Sequence, residues 1–220
     1  MSPTSRQERR HAETKDEILH VAREVVIERG AEHLTMREIA RRTEFTPSAL
    51  YRYFEEGRQE ILLAIAVTSL EALEAHLRRV PLTLPPDERI IEMGLTYVEF
   101  ARDHSEEIML LFDSIQAMAP FDIESADEAI IRPTGVFQLL ADALAEGVAA
   151  GLFKIDEDDL PLVMHGAWSY VHGLAAVERM HEHHEGLFGE RARDLLRAFV
   201  NGFKSEWVGD SEGAAESRRK

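Results

Sequence analysis

The stretch that decides the fold is "TMREIARRTEFTPSALYRYFEEGRQEIL", residues 35–62 of a 220-residue chain. It contains two residues that favour the start of a helix. Thr35 precedes Glu38 by the spacing of a capping box, and Thr46 precedes a proline, which is well tolerated at the first position of a helix. The stretch therefore predicts two short helices joined by a turn.

The residues before this stretch predict a longer helix. A further capping-box pattern, "TKDE" at residues 14–17, precedes an apolar stripe, and Gly30 is suited to end the helix. The stripe has helical spacing and consists of Ile18, Ala22, Val25 and Val26. Residues 14–58 are thus predicted to form a three-helix helix-turn-helix domain, and residues 1–13 a basic, disordered arm.

The last helix of this domain, "TPSALYRYF" at residues 46–54, has the composition of a helix that enters the major groove of DNA. Its small residues, among them Ser48 and Ala49, allow close approach to base edges. Leu50 and Phe54 are four residues apart and are predicted to face the core of the domain. The alternative is an ordinary amphipathic turn whose aromatic residues are partly buried.

The remaining side chains of this helix are suited to phosphate and base contacts. Tyr51 and Tyr53 carry hydroxyl groups on rigid rings and are predicted to bind phosphates. Arg52 is the only long hydrogen-bond donor of the helix and is the candidate for a guanine contact.

Charge is distributed unevenly along the chain, whose formal net charge is −16. Residues 1–60 contain 11 Lys and Arg against 12 Asp and Glu, whereas residues 61–220 contain 14 against 29. Within residues 33–54 basic residues outnumber acidic ones, which indicates a surface that faces a polyanion. The basic residues are Arg37, Arg41, Arg42 and Arg52. Few phosphates would be neutralised by each domain, so we expect a modest salt dependence of DNA binding.

Residues 35–62 resemble the DNA-binding domain of the TetR family of transcriptional regulators. The matching features are the capped second helix, the "IA" pair at 39–40, the Ser/Thr-containing turn and the recognition helix that ends Tyr-x-x-Phe at residues 51–54. The resemblance extends over about residues 14–65. It implies an all-α regulatory domain that binds a small molecule and dimerises.

The sequence departs from the family pattern at two positions. Gly57 stands where the family commonly has a lysine, and the adjacent Arg58, near a helix start, is expected to take over the phosphate contact. Phe45 stands where the turn usually has a glycine. The predicted DNA-contacting residues are Thr35, Arg37, Thr46, Pro47, Ser48, Ala49, Tyr51, Arg52, Tyr53 and Arg58.

The rest of the chain also has helical spacing and no strand alternation, so the predicted fold is all-α. Residues 59–208 are assigned to a ligand-binding and dimerisation domain, as the resemblance implies, and residues 209–220 to a disordered tail. A capping box at Ser125 and an internal Pro133, which should kink or split the helix, mark one of the predicted helices. The helices are predicted at residues 57–80, 87–103, 106–117, 126–151, 159–183 and 189–207.

The last two predicted helices carry continuous apolar stripes, which suits a homodimer interface built from four helices. Gly166 and Gly173 are seven residues apart and lie on one face of the first of them. A glycine costs roughly 1 kcal/mol inside a helix, and the close approach of another helix would offset that cost. A kink or chance is the alternative explanation.

A small-molecule site is predicted among bulky residues of 90–140 and 164–172, because such sites are largely apolar with a few polar groups. The predicted ligand-contacting residues are Met93, Tyr97, Phe100, His104, Met109, Phe112, Phe137, Leu140, Trp168 and His172. An ordinary core position is the alternative for each of them. Residues 167–178 also resemble a Trp-x-x-x-His-Gly signature of one TetR subgroup, through Trp168, His172 and Gly173.

Composition argues against several other classes of protein. The chain has no cysteine, which excludes disulfides, thiolate metal sites and cysteine nucleophiles and suits the cytoplasm. No apolar run approaches the ~18 residues of a membrane span. His181, His184 and Glu185 have a spacing that could bind metal, but a solvated helix end is the preferred interpretation, and no metal or cofactor is predicted.

The sequence thus predicts a cytoplasmic, ligand-responsive transcriptional repressor that is not an enzyme. It would bind a palindromic, double-stranded DNA operator as a homodimer through its last two helices, and a largely apolar small molecule would release it. The alternative is an all-α ligand-binding or metal-dependent protein that does not bind DNA.

Overall fold

The computed structural model describes residues 6–117, 135–179 and 191–204. All regular structure in these ranges is helical and no strand is present in them, which confirms the all-α prediction. The helices are α1 (Arg6–Arg29), α2 (Met36–Arg42), α3 (Pro47–Leu50), α4 (Arg58–Leu77), α5 (Pro86–Asp103), α6 (Ser105–Ala117), α7 (Val136–Ala149), α8 (Leu160–Arg179) and α9 (Ala192–Asn201).

The described residues divide into two compact units. The first unit contains the helix-turn-helix, most of α4, and α6; the second contains α5, α7, α8 and α9. The packing units therefore do not coincide with the predicted domains, which divide the chain between residues 58 and 59. The reason is that α6, although distant in sequence, packs on α1 and on the 3₁₀ turn Ala31–His33.

Helix α1 begins at Arg6, well before the predicted cap at Thr14. The prediction of a disordered arm is therefore wrong for residues 6–13. This segment, "RQERRHAE", contains good helix formers and neither proline nor glycine, so nothing in it ends the helix. The predicted apolar stripe is buried, and α1 ends before Gly30, whose φ of 89° a residue with a side chain rarely adopts.

Both predicted helix starts in the helix-turn-helix are confirmed. Thr35 Oγ1 accepts a hydrogen bond from the backbone N–H of Glu38 at 3.1 Å, and Thr46 Oγ1 accepts one from Ala49 at 3.2 Å. Helix α3 is shorter than predicted, because the residues after Leu50 continue as hydrogen-bonded turns. These turns carry the aromatic residues of the recognition segment, which we define as residues 46–54.

A polar contact fixes α6 in the first unit. Arg23 of α1 forms an ion pair with Glu107 of α6, and the hydroxyl of Ser69 on α4 donates to the same carboxylate at 3.0 Å. Ser69 is buried, which makes this contact sensitive to displacement of any of the three helices.

The second unit is packed through its glycines and aromatic rings. Gly94 of α5 lies against Leu196 of α9, so that an added Cβ would be 2.7 Å from Leu196 Cδ2. The ring of Tyr170 on α8 stacks on Phe199 of α9 with centroids 4.5 Å apart. Helix α9 thus packs against both α5 and α8 through its apolar side chains, as expected for an element with one strongly apolar face.

The other predicted helices agree with the observed ones to within a few residues where they are described. Ser125, Pro133 and the tail at 209–220 lie outside the described residues, as do His181, His184 and Glu185. Within the described residues, no group of three or more His, Asp or Glu side chains is placed to hold a metal ion. No helix among them is long and apolar enough to cross a membrane.

Candidate DNA interface and ligand cluster

The recognition segment rests on a fully buried anchor. Leu50 and Phe54 are 0% exposed, which confirms their predicted core positions. The ammonium group of Lys15 lies 4.6 Å from the centroid of the Phe54 ring and 3.1 Å from Glu60 Oε1. A cation over an aromatic face is attractive, so α1 and the start of α4 both hold this end of the segment.

The opposite side of the segment is open to solvent. Tyr51 is 48% exposed, and Arg52 is also exposed. Thr46, Pro47 and Ser48 are exposed at the N-terminal end of α3, where their small side chains leave the backbone accessible. A surface of this composition can approach the edges of base pairs.

Tyr53 is held by two rings that were not among the predicted contact residues. The His11 ring stacks on Tyr53 with centroids 4.7 Å apart, and Phe45 meets it edge-on at 6.0 Å. Phe45, which departs from the family pattern, therefore packs against the recognition segment. The contact of His11 was missed because that residue was assigned to a disordered arm.

Gly57, the second departure, has a local cause. Its φ is 60°, and an added Cβ would lie 2.8 Å from Cε1 of the Tyr51 ring. Both the backbone conformation and the adjacent ring therefore disfavour a side chain here. A lysine in the family's usual place would be strained in this turn.

The structure gives Arg58 different partners from the predicted phosphate. Its guanidinium donates to the carbonyl oxygens of Leu34 at 2.9 Å, Ala31 at 3.0 Å and Ala117 at 3.1 Å. The fork of N–H donors is thus used inside the first unit, where it joins the start of α4 to the 3₁₀ turn and to the end of α6. We call this arrangement the Arg58 clamp.

Two of the four arginines predicted to face a polyanion are neutralised within the protein. Arg41 and Arg42 both donate to the carboxylate of Glu38, and Arg42 also pairs with Glu28 at 2.6 Å. The hydrogen bonds from Arg41 and Arg42 lower the pKa of Glu38 to about 2. The predicted capping box is therefore only half formed. The backbone N–H of Glu38 donates to Thr35 Oγ1, but the Glu38 carboxylate bonds to the arginines and makes no reciprocal bond to Thr35.

Four of the predicted ligand-contacting residues come together in the second unit. The Trp168 ring meets Tyr97 edge-on at 5.4 Å and Phe137 at 5.1 Å. The Tyr97 hydroxyl lies 3.1 Å from Nδ1 of His172, within hydrogen-bonding distance. Burial raises the pKa of Tyr97 well above its ordinary value, so the phenol stays neutral. We call these four residues the aromatic cluster.

The other predicted ligand residues are distributed between the units. In the second unit, Met93 and Phe100 are buried, and the Phe100 ring lies 4.9 Å from that of His76. Leu140 is half-buried on α7. His104, Met109 and Phe112 belong to the first unit, where His104 is exposed and the other two are half-buried.

The fold and the exposed recognition segment define a helix-turn-helix DNA-binding protein with an all-α body. The profile of the family described as "Bacterial regulatory proteins, tetR family" matches residues 18–65, and that of "Tetracyclin repressor-like, C-terminal domain" matches residues 90–203. The chain belongs to the TetR family of bacterial transcriptional regulators.

Similar proteins support this assignment. The HTH-type transcriptional repressor BepR of Brucella suis biovar 1 (strain 1330) is 27% identical over 207 residues, which cover 92% of this chain and 84% of that protein. A putative TetR family regulator from Shewanella sp. PV-4 shares the fold with a TM-score of 0.70 at 14% identity, over 87% of this chain and 98% of that one. The TetR family regulator PfmR from Thermus thermophilus does so with a TM-score of 0.57 at 20% identity, over 86% and 94%.

Proposed function

We propose that the protein is a cytoplasmic, ligand-responsive transcriptional repressor that binds a palindromic operator as a homodimer. The observation that carries this proposal is the recognition segment, whose core residues are buried while Tyr51 and Arg52 are exposed. A segment presented in this way offers side chains to DNA without losing its own packing. The relative from Brucella suis is named a repressor, which favours repression over activation.

The proposed DNA contacts follow from the exposed residues. Arg52 reads a guanine, and Tyr51 binds a phosphate beside it. The small side chains of α3 and the exposed Thr35 and Arg37 line the approach to the groove. Arg58 is omitted from the proposed contacts because its guanidinium is bound in the clamp, and Tyr53 supports the segment through its ring.

The proposed dimer forms through α8 and α9. Along α8, Leu162 is 72% exposed and Val177 is 37% exposed, and added Cβ atoms on Gly166 and Gly173 would have nothing within 4 Å. These four residues have helical spacing and form one exposed face of small and apolar residues. A second copy of this face would bury it, as two-fold dimers of helical proteins commonly do.

The aromatic cluster is the proposed centre of the effector site. It offers apolar ring surface together with one neutral hydroxyl and one imidazole, which suits a largely apolar molecule with a single polar group. The effector would release DNA by favouring a conformation in which α4, which begins at the Arg58 clamp, is displaced. It can do so only through its difference in affinity between the two states.

Replacing Arg52 by alanine is expected to weaken operator binding about 10-fold to 100-fold, because a bidentate base contact is worth about 1–3 kcal/mol. Binding to unrelated DNA should change much less. The measurement is a mobility shift with a duplex selected from random sequence by the wild-type protein. R79A, which removes an exposed arginine of the second unit, is the control and should bind normally. The absence of any specific complex of the folded wild-type dimer at low salt would refute the function itself.

Replacing Gly166 by alanine is expected to weaken the dimer while leaving the protomer intact. Within one protomer the new methyl group meets nothing within 4 Å, and alanine favours a helix by roughly 1 kcal/mol over glycine. At a close helix–helix contact, the same methyl group would separate the two copies. Sedimentation equilibrium should show a higher dissociation constant with unchanged helicity by circular dichroism. A dimer as tight as wild type would place the interface elsewhere.

A further inference from the structure

Most of the described lysines and arginines of the first unit are paired with carboxylates or carbonyls inside the protein. Lys15, Arg23, Arg29, Arg41 and Arg42 form ion pairs with carboxylates, and Arg58 donates to backbone carbonyls. Within described residues 6–58, the lysines and arginines that remain without such a partner are Arg6, Arg9, Arg10, Arg37 and Arg52. Three of these five residues, Arg6, Arg9 and Arg10, therefore lie in the first two turns of α1.

These two turns lie beside the recognition segment. His11 stacks on Tyr53 at 4.7 Å, and one turn further along α1, Lys15 covers the Phe54 ring. Because an α-helix rises about 1.5 Å per residue, Arg10 and Arg6 lie within about 7.5 Å of His11 along the axis. Arg6, Arg9 and Arg10 are all exposed at this end of α1.

We propose that residues 6–11 of α1 form a second phosphate-binding surface that contacts the DNA backbone next to the groove entered by the recognition segment. This inference rests on the proposed DNA-binding function and adds a contact surface to it. His11 and Tyr53 couple the surface to the segment, and the arginines neutralise phosphates. The contacts carry no base specificity, because phosphates are the same in every sequence.

The chemistry of the segment selects a polyanion as the partner. Residues 6–10 contain three arginines and one glutamate, in a chain whose net charge is −16. Cations near the start of a helix are disfavoured by the helix dipole, whereas a bound phosphate would offset that effect. Arginine also binds phosphate with two parallel hydrogen bonds, which a duplex backbone presents at regular spacing.

The test is the salt dependence of DNA binding by the full chain carrying R6Q, R9Q and R10Q together. Each arginine that neutralises a phosphate contributes about 0.9 to the slope of log affinity against log salt concentration. With three arginines replaced, the slope for each helix-turn-helix domain should therefore become less steep by up to about 2.7. Affinity at ~150 mM salt should fall about tenfold or more, by the same factor for the selected operator and for an unrelated duplex.

Two further variants make the result specific. R41Q removes one arginine of the same unit that is already paired with Glu38, and it should leave the slope nearly unchanged. R6K/R9K/R10K keeps the charge and should keep most of the slope. Glutamine and lysine are both good helix formers, so circular dichroism should show α1 intact in each variant.

The outcomes separate this inference from the proposed function. If the wild-type protein binds the selected operator and the glutamine variant binds with the same slope, the second phosphate surface is refuted while the repressor function stands. If the loss is confined to the operator and absent on the unrelated duplex, the arginines read bases and the proposal is equally wrong. If the wild-type protein binds no DNA, the proposed function itself fails.

Discussion

Replacing Arg58 by lysine is expected to destabilise the first unit nearly as much as replacing it by alanine. A lysine can reach at most part of the clamp, because its single ammonium group cannot meet carbonyls on three sides as the guanidinium fork does. Hydrogen bonds from charged donors are worth about 1.5–3 kcal/mol each, and water would replace some of them here. We expect the free energy of unfolding to fall by about 2–4 kcal/mol in both variants.

The same pair of variants distinguishes the clamp from a phosphate contact. If Arg58 holds the 3₁₀ turn and α6 in place, both variants should lose operator affinity because the helix-turn-helix is displaced. The slope of log affinity against log salt should then stay at the wild-type value. If Arg58 binds phosphate, alanine should lower the slope by about 0.9 and lysine should restore it.

Denaturant unfolding, combined with mobility shifts at several salt concentrations, makes both measurements on the same preparations. R52K, at an exposed arginine of the recognition segment, is the matched control and should unfold at the wild-type denaturant concentration. A stable R58K that binds DNA normally would contradict the clamp.

Replacing Gly147 by alanine is expected to destabilise the second unit, because the added methyl group overlaps a buried ring. An added Cβ would lie 2.1 Å from both Cδ2 and Cε2 of the Phe153 ring, which is only 3% exposed. The ring itself packs edge-on against Phe203 at 6.2 Å, so it cannot move without disturbing a second aromatic contact. Overpacking of this kind typically costs about 1–3 kcal/mol, whereas alanine inside a helix would otherwise gain roughly 1 kcal/mol.

A double-mutant cycle tests whether the ring is the cause. F153A alone should be strongly destabilising, by about 3–5 kcal/mol, because it removes a buried ring. Adding G147A to F153A should then cost nothing or stabilise slightly, since the space is empty. Urea unfolding of the four proteins yields the coupling free energy. An equal cost of G147A in both backgrounds would show that the ring is not involved.

The features that were correctly predicted from sequence are those encoded by neighbouring residues. Thr35 and Thr46 cap helices in the structure because a capping bond joins residues only three positions apart. Leu50 and Phe54 are buried because a four-residue spacing places both on one face. These local rules, together with the resemblance, were sufficient for the all-α fold, the position of the recognition segment and the family.

The local rules were misleading where two valid patterns competed. The "TKDE" pattern at 14–17 has the spacing of a cap, yet the residues before it are equally good helix formers, and α1 continues through them. A capping residue shows where a helix can begin. A helix is forced to begin there only if a proline or glycine stops it from extending further towards the N-terminus. Because of this error, the stacking of His11 on Tyr53 was not predicted.

The sequence by itself determined that the chain would be helical, where its recognition helix would start and which residues of that helix would be buried. The tertiary structure decided which polar side chains remain available for DNA. Arg42 and Arg58 look equivalent to Arg52 in sequence, but folding brings the Glu28 carboxylate near Arg42 and three backbone carbonyls near Arg58. The pairing of Arg41 with Glu38, by contrast, is an i,i+3 contact within α2. Charge can be counted from a sequence, whereas the contacts that occupy Arg42 and Arg58 include residues far apart in the chain.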